Sequence, residues 1–297
     1  MPALTLVDGV LADTVPVTDR GLLYGDGVFE TLAWRGRRLM QLPAHLQRLQ
    51  TSCHQLGIPV HMPDIEQQLD KLLACLSPDV LSPETDSPDS GVVKIMVTRG
   101  DGGRGYAPPT PGTPRVIIQF HPMPADYAGF SRRGISCMLC RHPVSANPVL
   151  AGLKHLNRLD QVMASRELVA AQNRTADVDP LLQEGLMFDA QGLLVEGTRS
   201  NVFLVIEGQL CTPDLSDAGV SGIMRAALLD WFAEQGVPVC VRAIAGTELW
   251  LASEVFICNS VMGIWPVNRV HDFSTDTCLV LPDQTTARRA QRGMLNH

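Results

Sequence analysis

Three segments of the sequence carry residue types that could do chemistry. In Ala151-Gly-Leu-Lys154-His-Leu-Asn-Arg-Leu159 a lysine stands between a glycine turn and an amphipathic stretch, flanked by Leu153 and Leu156. Apolar neighbours disfavour an ammonium, and the neutral amine is the form that attacks an aldehyde to make a Schiff base. A solvated lysine near a helix start fits the same residues. Glu196 ends the apolar run Gly192-Leu-Leu-Val-Glu196 and precedes the small-residue turn Gly197-Thr-Arg-Ser-Asn201. A carboxylate fixed at a strand end can keep a pyridine nitrogen protonated, so that the ring accepts electron density from a carbanion. A hairpin-end glutamate in water is the alternative. Gly219-Val-Ser-Gly222-Ile-Met-Arg225 leads into a helical pattern whose N–H groups and positive dipole end suit a phosphate. Ser221 as an ordinary N-cap and Gly222 as a bend explain that segment equally well.

Two further motifs point elsewhere and fail on context. Gly100-Asp-Gly-Gly-Arg-Gly105 has the spacing of a dinucleotide phosphate loop, but Tyr106-Ala-Pro-Pro cannot open the helix that must follow. Its glycines could instead let Arg104 approach a ligand, or simply form a mobile hairpin turn. Cys137 and Cys140 form one C-x-x-C inside Ile-Ser-Cys-Met-Leu-Cys, with no second pair to complete a zinc site, so no metal is expected.

The elements that must position these residues follow from periodicity. Residues 3 to 40 alternate apolar runs with turns, including Val-Asp-Gly-Val at 7 to 10 and Trp-Arg-Gly-Arg at 34 to 37, which predicts β-hairpins. Pro43 opens a helix bearing Leu46, Leu49, Cys53 and Leu56 and closing at Gly57, with Arg48 on its flank. A second helix covers Ile65 to Leu76, and the polar stretch 82 to 91 is a loop tip. Strands are expected at Val92 to Thr98 and Val116 to Phe120, followed by a Pro- and Gly-bearing linker. Beyond it come a strand from Ile135 to Arg141 and a helix around Leu156 to Ala171 with Leu159, Val162, Met163 and Leu168 on its apolar side. Hairpins pair 186 to 189 with 193 to 196 and 202 to 206 with 209 to 212. A helix from Ile223 to Glu234, strands at Val237 to Arg242 and Val255 to Asn259, and a frayed polar tail from Thr285 to His297 complete the pattern. The expected organisation is an N-terminal α/β domain over 1–122, a linker over 123–130 and a C-terminal α/β domain over 131–297.

At 297 residues, with 45% hydrophobic and 19% charged, the chain can bury two cores. A net charge of −7 argues against nucleic acid and acidic membranes as partners, since both need a basic surface. The N-terminal MPALTLVDGV lacks a basic region followed by an apolar run, and no stretch is long enough to span a membrane. A cytoplasmic protein is expected, with its eight cysteines reduced.

A lysine, a later strand-end glutamate, a Gly-rich helix start and an early arginine, in this order, resemble the fold-type IV pyridoxal-phosphate enzymes. The resemblance spans most of the chain. Tyr24-Gly-Asp-Gly-Val-Phe-Glu-Thr31, Arg99-Gly-Asp-Gly-Gly-Arg-Gly-Tyr106, Gly152-Leu-Lys-His-Leu-Asn-Arg-Leu159 and Ala218-Gly-Val-Ser-Gly-Ile-Met-Arg225 look most like the aminodeoxychorismate lyases of that family. It implies a two-domain α/β (α+β) fold with pyridoxal 5′-phosphate in the cleft, a homodimer, and Lys154 as the Schiff-base lysine. It also implies Glu196 as partner of the pyridine nitrogen and Arg48, Ser200, Asn201, Gly222, Ile223, Met224 and Ser260 as further cofactor contacts. Thr31, Arg104, Tyr106 and Asn259 would meet the substrate, with Thr31 also catalytic. Thr31 bears on reaction type, because the lyases resemble one another in a threonine here, although threonine is also common in strands. Arg199 departs from the small residues usual in its turn. The implied reaction is conversion of 4-amino-4-deoxychorismate to p-aminobenzoate and pyruvate, for folate synthesis. A D-amino acid or branched-chain aminotransferase and a non-catalytic cofactor-binding protein are the alternatives.

Overall fold

The computed structural model describes residues 4–76, 90–175 and 177–294. They form two compact units, one of residues 1–125 with 154–157 and one of 126–153 with 158–297. The polar stretch 82–91 lies outside the described residues except for its last two, which begin a strand.

The first unit is built on β1 (Leu4–Val7), β2 (Val10–Leu11), α1 (Arg20–Tyr24), β3 (Gly27–Arg35), β4 (Arg38–Leu39), α2 (Leu42–Gln55), α3 (Met62–Cys75), β5 (Ser90–Thr98) and β6 (Arg115–Pro122). Its strands form one antiparallel sheet in the order β2-β1-β6-β5-β3-β4. Both expected N-terminal hairpins are present. Asp8 and Gly9 turn one, Gly36 and Arg37 the other, each pair with positive φ that matches the twist of the flanking strands. Strict alternation puts Val93, Ile95 and Val97 of β5 and Val28 and Leu32 of β3 in a core shared with Leu49 and Cys53 of α2 and Ile65, Leu69 and Leu72 of α3. The short α1 was not expected. Asp19 caps it by accepting the amides of Gly21 and Leu22, and Gly25 ends it at φ +66°.

The second unit contains α4 (Tyr127–Arg133), β7 (Ile135–Leu139), α5 (Leu159–Thr175), β8 (Leu182–Phe188), β9 (Leu194–Gly197), β10 (Asn201–Ile206), β11 (Gln209–Pro213), α6 (Ile223–Glu234), β12 (Val239–Arg242), β13 (Ala252–Asn259), β14 (Gly263–Asp272), β15 (Thr277–Val280) and α7 (Thr285–Met294). A mixed sheet runs β12-β11-β10-β13-β14-β7-β8-β9, with β15 on β14. Residues 127–130, expected in a linker, open α4.

Two expectations about this unit are corrected. Helix α5 begins at Leu159, and its buried face is Ala164, Leu168 and Ala171, whereas Leu159, Val162 and Met163 are 77%, 50% and 38% exposed. Small alanines let the helix lie close to Met138 and Leu182, so the larger side chains on the other face stay outside. The tail is not frayed over 285–294. Glu254 on β13 accepts the amides of Thr286 and Ala287 at 2.9 and 2.7 Å, and Ala287 and Ala290 pack with Leu228 and Trp231 of α6. Among the described residues no helix is long and apolar enough to cross a membrane.

Candidate functional site

Strand β3 presents different chemistry on its two faces. Toward α2 it carries Glu30, 1% exposed, whose Oε1 accepts Arg48 Nε at 2.7 Å and whose Oε2 accepts Arg48 Nη2 at 2.6 Å. His45 Nδ1 lies 2.6 Å from the same Oε2. Burial works against ionisation of Glu30, but the His45 and Arg48 hydrogen bonds outweigh it and hold the carboxyl below the usual carboxylate range. Arg48, expected as a cofactor contact, therefore stands oriented by a bidentate pair.

The opposite face carries Phe29 and Thr31. Residues 154–157 run along the edge of β3 beyond β4: Phe29 N donates to Lys154 O at 2.9 Å, Leu156 N donates to Gly27 O at 2.9 Å, and His155 bridges Val28. This pairing replaces the helix start expected at Leu156 and places Lys154 Nζ 4.4 Å from the Phe29 ring centroid. Lys94 of β5, register partner of Thr31, brings a second amine 5.1 Å from the same ring. Half-burial pushes the Lys94 ammonium down. Sequence reasoning missed Lys94. The available signal was a lone lysine on the non-core phase of Val92-Val-Lys-Ile-Met-Val97, and it gains meaning only once Lys154, distant in sequence, reaches the same ring.

The loop after β5 holds Arg104 and Tyr106, both exposed. Its glycines serve packing rather than a dinucleotide. Gly100 has φ +81° and Gly105 φ +84°, and a Cβ at Gly102 would stand 2.6 Å from Arg20 Cδ.

In the second unit Glu196, 4% exposed, accepts Gln161 Nε2 at 3.1 Å and Val220 N at 2.9 Å. The Val220 turn is shaped by glycine: a Cβ at Gly219, φ +86°, would lie 3.3 Å from Glu196 Oε2, and one at Gly222 only 1.9 Å from Asn201 Oδ1. Asn201 Nδ2 donates to Val220 O at 2.9 Å, and Gly152, two residues before the lysine, pairs with Gly219 and Ser221 through its backbone. Gly222 is the N-cap of α6, so the amides of Ile223 and Met224 belong to the first turn, which has no intrahelical acceptors. Glu196, Asn201, Gly222, Ile223 and Met224 are thus gathered around one turn.

Ser200, Asn259 and the unassigned Arg199 each have partners within the fold. Ser200 Oγ donates to the fully buried Glu184 at 2.9 Å, and that carboxylate also takes the amides of Gly185 and Thr198 and the Thr198 hydroxyl. Asn259 accepts the amides of Val261 and Met262 and donates to Arg199 O at 2.9 Å, shaping the turn that contains Ser260. Arg199 turns back onto Gln183 O at 2.7 Å, 3.9 Å from Glu184. Cys137 and Cys140 pack in cores on opposite faces of the sheet, as a three-residue spacing in a strand requires, and burial pushes both thiols up, Cys140 to about 12.

The donor set suits pyridoxal phosphate. An amine beside an aromatic ring, a buried carboxylate held by amide donors, and a glycine-cradled helix start match its aldehyde, ring nitrogen and phosphate in kind.

Comparison with known proteins gives the same direction. The description Amino-transferase class IV matches residues 27–270. The chain is 32% identical to the aminodeoxychorismate lyase of Vibrio harveyi over 264 residues, covering 89% of this chain and 90% of that one. It is 32% identical to a putative branched-chain-amino-acid aminotransferase of Methanocaldococcus jannaschii over 254 residues, 85% and 81% of the two chains. Among solved structures, the 4-amino-4-deoxychorismate lyase of Pseudomonas aeruginosa superimposes with a TM-score of 0.85 at 41% identity over 99% and 98% of the chains. The branched-chain aminotransferase of Escherichia coli shares the fold at 24% identity, 99% and 93% coverage and a TM-score of 0.79. With the family match extending over most of the residues that build both units, the chain belongs to the class IV aminotransferase family.

Proposed function

We propose that this protein is a pyridoxal-phosphate-dependent lyase that converts 4-amino-4-deoxychorismate to p-aminobenzoate and pyruvate, acting in the cytoplasm as a homodimer. The observation that carries the reading is the face of β3 on which Lys154 and Lys94 meet the Phe29 ring beside Thr31. It offers one amine for the cofactor, a second cation for a substrate carboxylate, and a hydroxyl. Similarity to the Pseudomonas lyase along nearly the whole chain supports it.

When bound, pyridoxal phosphate supplies an electron sink for negative charge formed at the substrate's C4. Lys154 would hold the cofactor, and its Nζ, as a free amine, would take the C4 proton of the substrate. Glu196 would keep the ring nitrogen protonated, while Arg48, Ser260, Asn201 and the amides of Ile223 and Met224 would hold the phosphate and its turn. Lys94 and Arg104 pair with the two carboxylates. The electrons of the C4–H bond become the C3–C4 π bond of the substrate ring, the C3–O pair leaves on the oxygen of the pyruvate enolate, and aromatisation drives that departure. Thr31 or the Lys154 ammonium returns the proton that turns this enolate into pyruvate.

The test is to incubate the cofactor-loaded protein with 4-amino-4-deoxychorismate and quantify both products beside Lys154→Ala. Equal p-aminobenzoate and pyruvate from the wild type, and none from the variant, is expected. The branched-chain aminotransferases among the relatives favour one second reading. Amino transfer from leucine or D-alanine to 2-oxoglutarate, with no p-aminobenzoate formed, would select it. The homodimer is supported by the exposed apolar row Leu159, Val162 and Val169 on α5, and a solution mass near 32.3 kDa would reject it.

A further inference from the structure

Arg20 is 3% exposed, although it begins a five-residue helix in a polar stretch. A buried guanidinium is stable only with its donors satisfied, and here most of its bonds go to one short segment. Nη1 donates to Gly105 O at 3.1 Å and Ala107 O at 3.3 Å, and Nη2 donates to Tyr106 O at 2.7 Å. Three consecutive carbonyls of the loop carrying Arg104 and Tyr106 thus converge on one side chain. Nε donates to Asp26 at 2.8 Å, and Arg99 grips the same carboxylate through Nε at 2.7 Å and Nη2 at 3.0 Å. Arg99 is itself anchored on the carbonyls of Leu56 and Gly57, so Asp26 cannot shift without breaking two ion pairs.

The rest of the loop is fitted to this clamp. Arg20 N donates to Gly100 O at 2.9 Å, Thr18 Oγ1 donates to Asp101 at 2.8 Å, and Arg115 pairs with Asp19 and Asp101, which fixes the loop's base. Gly102 leaves the space that the Arg20 stem occupies. The guanidinium lies 4.9 Å from the Tyr24 ring, which meets Tyr106 edge-on at 5.4 Å.

We propose that Arg20, locked by Asp26, is the positioning residue that holds the 100–107 loop so that Arg104 and Tyr106 meet a carboxylate of the substrate. Arg20 acts through the loop backbone and takes no part in bond making, so it governs affinity for the dianionic substrate rather than turnover. The inference rests on Arg104 being a carboxylate ligand.

The test is steady-state kinetics of cofactor-loaded Arg20→Lys, Arg104→Gln and the double variant with 4-amino-4-deoxychorismate. Lysine keeps the charge next to Asp26 but cannot bond three carbonyls from one plane. Loss of one charge-assisted contact predicts a KM raised about tenfold in either single variant, with kcat changed less than about threefold. The double variant should fall well short of the product of the two single effects, because both changes remove the Arg104 contact and only the Tyr106 contact remains for Arg20→Lys to disturb. Gly102→Ala, which crowds Arg20 without removing a buried charge, should reproduce the KM effect if Arg20→Lys folds poorly. A raised KM in Arg104→Gln beside a wild-type KM in both Arg20→Lys and Gly102→Ala would overturn the proposal alone, as would effects that multiply. A wild-type KM in Arg104→Gln would overturn the carboxylate reading and the proposal with it.

Discussion

Asp19, Asp26 and Glu30 in the first unit are buried or half-buried carboxylates, each held by at least one cationic side chain: Arg115, the Arg20 and Arg99 pair, and Arg48 with His45. Glu184 and Glu254 in the second unit take backbone amides and hydroxyls, with Arg199 no nearer to Glu184 than 3.9 Å, and Glu196 accepts the Val220 amide and the Gln161 side chain. Asp160, Asp179 and Glu248 are intermediate, each bonded to a backbone amide and to a basic side chain: Ser145 and His142, Leu181 and His271, and Ala245 and Arg242. The difference separates two tasks. In the first unit a carboxylate orients a cation that a loop uses or, for Arg48, that the proposed cofactor would use. In the second it fixes the backbone of a turn or a helix start.

The same isosteric change in both units tests this division. Glu30→Gln leaves a buried guanidinium and an imidazole facing a neutral amide, and breaking such a pair predicts a loss of about 3–5 kcal/mol in unfolding free energy, read by urea titration. The penalty should depend on pH with a definite sign. Because the Glu30 carboxyl is held below its ordinary value of 4.5, its stabilisation is fully present above that value and is lost as pH falls through the lowered one. The gap between wild type and Glu30→Gln should stay constant from neutrality down to the ordinary value of 4.5 and narrow only as pH falls further. A gap that widened in acid would remove the ionic account of this cluster.

Glu184→Gln should cost less, about 1–2 kcal/mol, since an amide oxygen in place of Oε1 still faces the three donors of Gly185 and Thr198, and Ser200 can accept from the new amide group. Its mark would be local, as faster hydrogen exchange at the Thr198 amide. If Glu184→Gln proved more damaging than Glu30→Gln, the contrast between the units would collapse.

How much of this was legible depended on range. Lys154, Glu196 and the Gly219 to Gly222 turn were readable because residue type and immediate neighbours already state their chemistry. The hairpins at Asp8-Gly9 and Gly36-Arg37 were readable because a positive φ leaves a local signature. Arg20 was not, since its burial is decided by carbonyls about 85 residues away. Lys94 was hidden for the same reason. The α5 face was misjudged because size was weighed above fit: Ala164 and Ala171 are buried because they are small.

Helix α7 is the sharpest case of long-range control, and it yields the smallest effect. Thr-Thr-Ala-Arg-Arg-Ala-Gln-Arg from Thr285 is polar enough to read as a frayed end, and its interior offers only Ala287 and Ala290 to a core. Glu254, 1% exposed on β13, supplies what the segment lacks by accepting two amides of the first turn from 32 and 33 residues away. The contact combines a cap with a negative charge at the positive end of the helix dipole. Glu254→Ala should therefore destabilise by about 1 kcal/mol and loosen α7 alone, seen as lost exchange protection over residues 288–294 while α6 keeps its own. Protection lost equally in α6 would mean that Trp231 against Gly293, rather than the cap, governs this end of the fold.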